Sequence, residues 1–311
     1  MSKPFLSFRE QIELLQKEKN LLVLDPSYAE SLLCQIGYFG LIGGYKQPFK
    51  NKTTKKYKDG TRFEDIVTLY YFDERLRELF LKYILKIERH VRSLLSYYFT
   101  QKYGVEQEQY LDHNNYQQTQ RTRESIPKLI EKLDELANTN SDYPYINHQR
   151  TAYGNVPLWV LVNGLSMGTL SKFYMFTTQD IQSRIAQHFD RVDQRKLGRF
   201  LKVMTKFRNV CAHGERLYAY KTRDTIPDTQ LHKSLNIPKC NEQHAMGKCD
   251  LFSVVIVFRY LLTSEDFDAF QTDLSAIIQT YLKTPGSLGE TTLYESMGFP
   301  ANWEAVTAAK K

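Results

Sequence analysis

A helical pattern of apolar residues between Phe63 and about Tyr103 constrains this chain more than any other feature of its sequence. Its large apolar side chains recur at intervals of three and four residues, namely Leu69, Phe72, Leu76, Leu79, Phe80, Tyr83, Ile84, Ile87, Val91, Leu94, Leu95 and Tyr98. That spacing places them along one side of an α-helix, which other elements must then cover. We therefore predict one long helix here, or two in near continuity. Its polar side, which carries Arg89 and the i,i+4 pair Glu88/Arg92, is predicted to be mostly solvated.

Shorter helical patterns fill much of the remaining chain. Ser7 to Glu10 has the form of a capping box, and Asp25-Pro26 is typical of a second helix start. Amphipathic segments predict further helices near residues 126–136, 178–189, 193–213, 250–262 and 264–283, with a short tail helix near 293–300. No strand pattern persists, so we predict an all-α fold with long central helices and additional helices at both ends. The polar stretches 37–60 and 104–154 are predicted to be a loop and, apart from the helix at 126–136, a connector or insertion.

By length alone the chain could form one large domain or two ordinary ones. We predict a helical core over residues 1–225 and a C-terminal helical extension, residues 226–311, packed on it. No run approaches 18 continuous apolar residues, and no secretory apolar stretch follows the first residues. The 4 cysteines are too few for a disulfide framework in 311 residues. A cytoplasmic protein with no membrane association is expected.

The charge balance favours a polyanionic partner. Lysine and arginine total 42 against 35 aspartates and glutamates, which gives a formal net charge of +7. A basic chain of this kind is suited to nucleic acid. A solvated basic surface without a ligand is an equally acceptable interpretation of the charge alone.

Residues 197–213 carry the clearest candidate site. On a helical projection the large apolar residues of this segment form one stripe, and only Leu201 lies outside it. The opposite side carries Lys202, Thr205, Lys206, Arg208, Asn209 and His213. Asn209 and His213 lie four residues apart on one face, and Arg208 flanks them. Gly214 favours a left-handed helix end that leaves His213 exposed.

These residue types permit phosphodiester cleavage in RNA. A histidine near neutrality takes a proton from a ribose 2′-hydroxyl or donates one to the leaving 5′-oxygen. An arginine binds the nonbridging phosphate oxygens, and an asparagine orients the imidazole or the phosphate. Because the 2′-hydroxyl is the nucleophile, the first step needs no metal or cofactor, and DNA is not a substrate. We predict Arg208, Asn209 and His213 as catalytic residues, although a structural role for a helix-end histidine is common.

Further residues are predicted to contact the RNA. They are Lys202 and Lys206 beside the catalytic set, Arg89 and Arg92 on the long helix, and Arg216 and Tyr218 after it in the chain. Zinc binding by Cys240, His244 and Cys249, with His232 upstream, is a weak alternative because the spacing fits no common zinc site. Cys211 lies on the apolar stripe, which indicates a small buried filler rather than a nucleophile.

The segment Arg208-Asn-Val-Cys-Ala-His213, with residues 215–218, resembles the signature of HEPN ribonucleases in the form carried by the Abi-like (abortive infection) proteins of bacteria. Other segments are similar to that family, at residues 38–45, 72–77, 87–89, 157–159, 168–172, 297–300 and 302–303. The resemblance spans nearly the whole chain. It differs at Gly214, where relatives often carry a polar or aromatic residue, and at Glu215, where toxins of one HEPN subgroup carry tyrosine.

The resemblance implies a HEPN-like helical bundle that cleaves RNA in phage defence or as a toxin. It implies an arginine and a histidine as catalytic residues, and two copies of the motif that meet across a dimer. Because one motif is present here, a homodimer is expected, and an inhibitory noncoding RNA is a partner of some such toxins. The alternative is a non-catalytic protein that uses the same basic face to bind RNA or a partner.

Overall fold

The computed structural model describes residues 4–120, 122–139 and 142–311, and most of these residues are helical. The α-helices are α1 Phe8–Glu13, α2 Pro26–Ile36, α3 Phe63–Tyr103, α4 Gln107–Leu111, α5 Ile126–Asn138, α6 Pro144–Tyr153, α7 Leu158–Leu161, α8 Met167–Phe176, α9 Gln179–Ala186, α10 Gln194–Ala212, α11 Gln230–Ser234, α12 Leu251–Leu261, α13 Ser264–Leu282 and α14 Glu290–Met297. Short π-helices at Leu14–Glu18 and Phe39–Gly43 and 3-10 helices at Gln47–Phe49, His113–Asn115, Val162–Gly164 and Trp303–Val306 connect them. Strands β1, Lys239–Cys240, and β2, Gln243–His244, form an antiparallel hairpin. The predicted all-α fold is confirmed.

Helix α3 is the central element of the bundle. It is a single uninterrupted helix of 41 residues, about 60 Å long at about 1.5 Å per residue. At its start the Arg62 backbone N–H donates to Asp65 Oδ2 at 2.8 Å, and Gly104, at φ +104°, ends it. Helices α8, α9, α10 and α13 all pack against it. The prediction of one long helix over residues 63–103 is therefore confirmed.

The hydrophobic core is continuous along the described chain, from Ile12 to Val306. The Phe80 ring of α3 lies 5.7 Å from Phe258 of α12 and 5.2 Å, edge to face, from Phe270 of α13. Aromatic pairs at these separations stabilise a core beyond their buried area. The C-terminal helices thus share a core with the residues ahead of them, and a boundary at residue 225 stays a prediction.

Two polar stretches are more structured than their sequence suggests. The predicted loop at residues 37–60 contains helical turns and buries Tyr45, Phe49 and Tyr57. Residues 104–154 contain α4 and α6 as well as the predicted helix, and Tyr110 donates its hydroxyl to the Val156 carbonyl at 2.8 Å. Helices α4 and α6 were not predicted, because the contacts that hold this stretch on the core come from isolated residues. The role of residues 104–154 as a connector or a substrate-facing insertion stays a prediction.

Among the helices of residues 4–120, 122–139 and 142–311, none combines the length and the apolar character that a bilayer crossing requires.

His232 of α11 is a buried histidine in a neutral form. Its Nδ1 accepts a hydrogen bond from the Thr229 backbone N–H at 3.1 Å, and its Nε2 lies 2.9 Å from the Gly247 carbonyl oxygen. The carbonyl accepts only, so Nε2 carries the proton. Burial is the main cause that lowers the pKa of His232 to about 4.

Because the pKa of His232 is low in the folded protein, we expect the protein to lose stability in mild acid. The unfolded chain takes up a proton near pH 6.5 and the folded chain only near pH 4, so the free energy of unfolding should fall by about 3 kcal/mol as the pH drops across that window. His232→Asn keeps an acceptor for the Thr229 N–H and should flatten this slope. Urea unfolding at several pH values measures both proteins, and parallel pH profiles for the two would contradict the assignment.

Candidate functional site

The end of α10 presents His213 to solvent. Gly214, at φ +67°, ends the helix, with its N–H bonded to the Cys211 carbonyl at 3.3 Å and the Glu215 N–H bonded to the Val210 carbonyl at 3.0 Å. These two bonds form a Schellman motif, which turns the chain away from the helix axis. The predicted left-handed end and the exposure of His213 are therefore confirmed.

Helix α10 is buried on two sides because it packs against both α3 and α8. The predicted apolar stripe, which includes Phe200, Met204 and Phe207, is buried. Leu201, the residue that lay outside the stripe, is also fully buried. The second packing face explains the apparent exception, and it leaves a narrower polar surface than a single stripe would.

Arg208 lies against a buried carboxylate of α3. Its Nε is 3.8 Å from Glu88 Oε2, and Arg92 binds the other carboxylate oxygen and the Leu165 carbonyl. The Glu88 side chain is 2% exposed, while the side chains of Arg92 and Arg208 are 21% and 29% exposed. Two arginines therefore share one carboxylate, and the cluster keeps a net positive charge.

Glu88 is the site residue that the sequence interpretation missed. The i,i+4 ion pair with Arg92 is confirmed, but the pair lies at the helix junction and not on a solvated face. The sequence nevertheless indicates that Glu88 is buried. It is four residues after Ile84 and three before Val91, so it lies within the apolar stripe of α3. A buried carboxylate in such a stripe requires a cationic partner.

A second buried carboxylate of α3 holds the turn after His213. Asp73 accepts hydrogen bonds from the backbone N–H groups of Leu217 and Tyr218, at 2.9 and 2.6 Å. It also accepts from the Tyr45 hydroxyl at 2.6 Å and from Arg77 at 2.8 Å. Four donors converge on a side chain with no exposed surface. The turn is therefore tied to α3 by charge-assisted hydrogen bonds, which are stronger than neutral ones.

Arg216 and Tyr218 belong to this anchor. Arg216 donates to the Gly44 carbonyl at 2.7 Å and is half-buried. Tyr218 is 1% exposed and stacks on Tyr45, with the ring centroids 6.1 Å apart. The prediction that Tyr218 contacts RNA is corrected, because its ring is enclosed by the core.

The other predicted RNA contacts are divided between two surfaces. Lys202, Lys206 and Asn209 line one groove beside α8, and Lys202 forms an ion pair with Asp224 at 2.7 Å. Arg89 is exposed on α3, one residue after Glu88. In the described part of the chain, no hydrogen bond joins the side chains of Arg208, Asn209 and His213 to one another. The three share a helix end but face different neighbours.

Cys211 of the motif and the histidines His232 and His244 are buried in the protein interior. Burial is the main cause that raises the pKa of Cys211 to about 12, which suits the predicted filler and not a nucleophile. Cys240 is exposed on the hairpin, whereas His244 stacks on His232 with the ring centroids 4.8 Å apart. Within residues 4–120, 122–139 and 142–311, no three His, Cys, Asp or Glu side chains are arranged to hold a metal ion.

The chain matches the family model of the Abi-like proteins over residues 31–219. This is more than half of the chain, and it contains α3, α10 and the anchored turn. The chain belongs to the Abi-like family, and this membership indicates a general role in abortive infection, a form of phage defence. No curated protein and no solved structure matches the chain.

The cluster around Glu88 predicts unequal effects of its members on stability. Glu88→Gln leaves two arginines without their shared charge, so the free energy of unfolding should fall by about 2–3 kcal/mol. Arg208→Ala removes a distant, partly exposed partner and should cost less than about 1 kcal/mol. Urea unfolding at neutral pH measures both, with Glu78→Gln, an exposed glutamate of the same helix, as the control. Equal values for Glu88→Gln and Glu78→Gln would contradict a buried cluster.

Proposed function

We propose that this protein is a metal-independent endoribonuclease of HEPN type, which acts in phage defence or as a toxin through Arg208, Asn209 and His213. The observation that carries the proposal is that one helix end presents both an exposed His213 and Arg208, whose Nε lies 3.8 Å from the buried Glu88. The Schellman turn fixes the backbone at His213, and the Glu88 carboxylate lies beside the Arg208 side chain, so both residues have a defined position at the helix end. Preorganised groups stabilise a transition state without a further ordering cost.

In this reaction His213 takes the proton of a ribose 2′-hydroxyl. The 2′-oxygen forms a bond to phosphorus, and the bond from phosphorus to the 5′-oxygen breaks. The 5′-oxygen leaves with a proton donated by an imidazolium, either this one or that of a second copy of the chain. The products are a 2′,3′-cyclic phosphate and a 5′-hydroxyl, and neither metal nor oxidant enters the balance. DNA lacks the nucleophile and is not cleaved.

Arg208 stabilises the charge that develops on the phosphate. Its Nε is buried, and it has no hydrogen-bond partner among the described residues even though Glu88 is near. A buried donor without a partner costs free energy, and such donors are often kept for a function. The Arg208 side chain as a whole is 29% exposed, so its guanidinium can still bind a nonbridging phosphate oxygen through its other N–H groups. Asn209, exposed one residue later, is suited to hold the same phosphate from the groove side.

The geometry favours a site shared between two copies of the chain. Arg208 and His213 are five residues apart, so their side chains diverge by roughly 140° around the helix axis. In a dimer, each copy of the chain supplies its His213 to the Arg208 of the other copy. A homodimer therefore completes two half-sites at one interface.

The cleavage prediction uses purified protein and RNA in EDTA. The wild type should cleave RNA, while Arg208→Ala and His213→Ala should reduce the rate by at least about 100-fold, the usual size of an acid–base or charge-stabilising contribution. Arg223→Ala and His113→Ala replace exposed residues of the same types outside the motif and should cleave like the wild type. Product ends are mapped by sequencing and tested for a cyclic phosphate.

Two results would contradict this reaction. Equal cleavage by the wild type and both motif variants, all folded by circular dichroism, would assign the activity elsewhere. RNA binding without cleavage by any of the proteins would favour the non-catalytic alternative.

The shared site predicts that activity depends on association. The rate per subunit should rise with protein concentration until the dimer is fully formed, because a single chain holds half of each site. Sedimentation velocity on the same samples gives the dimer fraction for comparison. A strictly monomeric protein with full activity would exclude the shared site.

A further inference from the structure

A basic groove of about 560 Å³ lies between α8 and α10 and reaches α5 at one end. Five cationic side chains line it, namely Lys132 of α5, Lys172 of α8, and Arg199, Lys202 and Lys206 of α10. None of the lining residues is acidic. Like charges from three helices converge here although their mutual repulsion is unfavourable, which indicates an anionic ligand.

Much of this charge is free to bind a ligand. Lys202 is paired with Asp224 at 2.7 Å, and Arg199 donates to the Thr225 carbonyl at 2.9 Å. Lys132, Lys172 and Lys206 have no ion-pair partner in the described ranges, and all three are exposed. Three unneutralised ammonium groups therefore face one groove.

The walls of the groove suit a nucleotide chain more than a bare anion. The Met175 side chain, 46% exposed, and Phe176 give it an apolar side. The first turn of α8, with Ser166, Gly168 and Thr169, forms another part of the wall, and its backbone N–H groups add partial positive charge. Phosphates bind the cations and the helix start, while bases cover the apolar side.

We propose that this groove binds the phosphodiester backbone of single-stranded RNA beside the cleaved bond. The inference rests on the proposed function, because Asn209 lines the groove and lies one helical turn before His213. A groove of about 560 Å³ lies within the range of small-ligand sites, about 300–1,000 Å³, which is the scale of one or two nucleotides of a single strand.

The far end of the groove limits the path of the strand. Beyond Lys132 an adjoining depression shares Ser166 and Thr169 with the groove but also contains Glu135 and Asp142. Carboxylates repel phosphates, so the bound strand extends from Asn209 to Lys132 and ends there.

The test measures binding and not cleavage. Fluorescence anisotropy with a short labelled single-stranded RNA is recorded over a series of salt concentrations with the His213→Ala protein. Adding Lys132→Gln and Lys172→Gln should weaken binding and reduce the slope of log affinity against log salt by about 1.4, since each phosphate contact on a single strand contributes about 0.7. The control is His213→Ala with Lys239→Gln and Lys283→Gln, two exposed lysines outside the groove, which should leave the slope unchanged.

Each outcome is decisive for the groove. A reduced slope that is specific to Lys132 and Lys172 supports it, even if the wild type proves unable to cleave RNA, in which case only the proposed function fails. Equal slopes for the groove and control variants would overturn it. Displacement of the RNA by adenosine monophosphate at submicromolar concentration would also overturn it, because the groove would then be a site for a free nucleotide.

Discussion

The candidate site depends on how the end of α10 is held against α3, and two buried carboxylates of α3 hold it. Glu88 lies beside Arg208 before the helix ends, and Asp73 binds the backbone of Leu217 and Tyr218 after it ends. Each carboxylate is paired with an arginine one turn further along α3, Arg92 and Arg77 respectively. A buried ion pair gives little net stability by comparison with apolar packing, but it is costly to break. These pairs therefore fix geometry more than they stabilise the fold.

The sequence predicted the elements of this fold better than their mutual contacts. Helix α3 was predicted with nearly correct ends because its apolar residues keep a helical period over its whole length, and Gly214 marked the end of α10 for a local steric reason. Residues 104–154 were underestimated, since their core contacts come from isolated residues such as Tyr110 and Ile146. A periodic pattern identifies a face, whereas single anchors become visible only when a partner surface is known.

The candidate site shows the same contrast between local properties, which the sequence indicates, and contacts between distant residues, which it does not. The chemistry of Arg208 and His213 and their position on one helix are local properties, so the sequence alone indicates both residues. The partners Glu88 and Asp73 are more than a hundred residues away in the chain, and no periodicity relates them to α10. Tyr218 shows the reverse error, because an aromatic residue near a motif suggests a ligand contact until its stacking on Tyr45 is seen. Distant pairing is the information that a single sequence lacks.

The unbroken length of α3 has a consequence for how this site varies among sequences. Asp73 and Glu88 are 15 residues apart on one rigid helix, which separates them by about 22 Å and sets them about 60° apart around its axis. Loops elsewhere in the chain tolerate insertions, but one residue added between these two positions would rotate one carboxylate by about 100° relative to the other. The two anchors would then face different sides of α3, and the end of α10 could meet only one of them. The number of residues between Asp73 and Glu88 must therefore stay the same if both carboxylates are to contact the end of α10. This geometry does not fix which residue types lie between them.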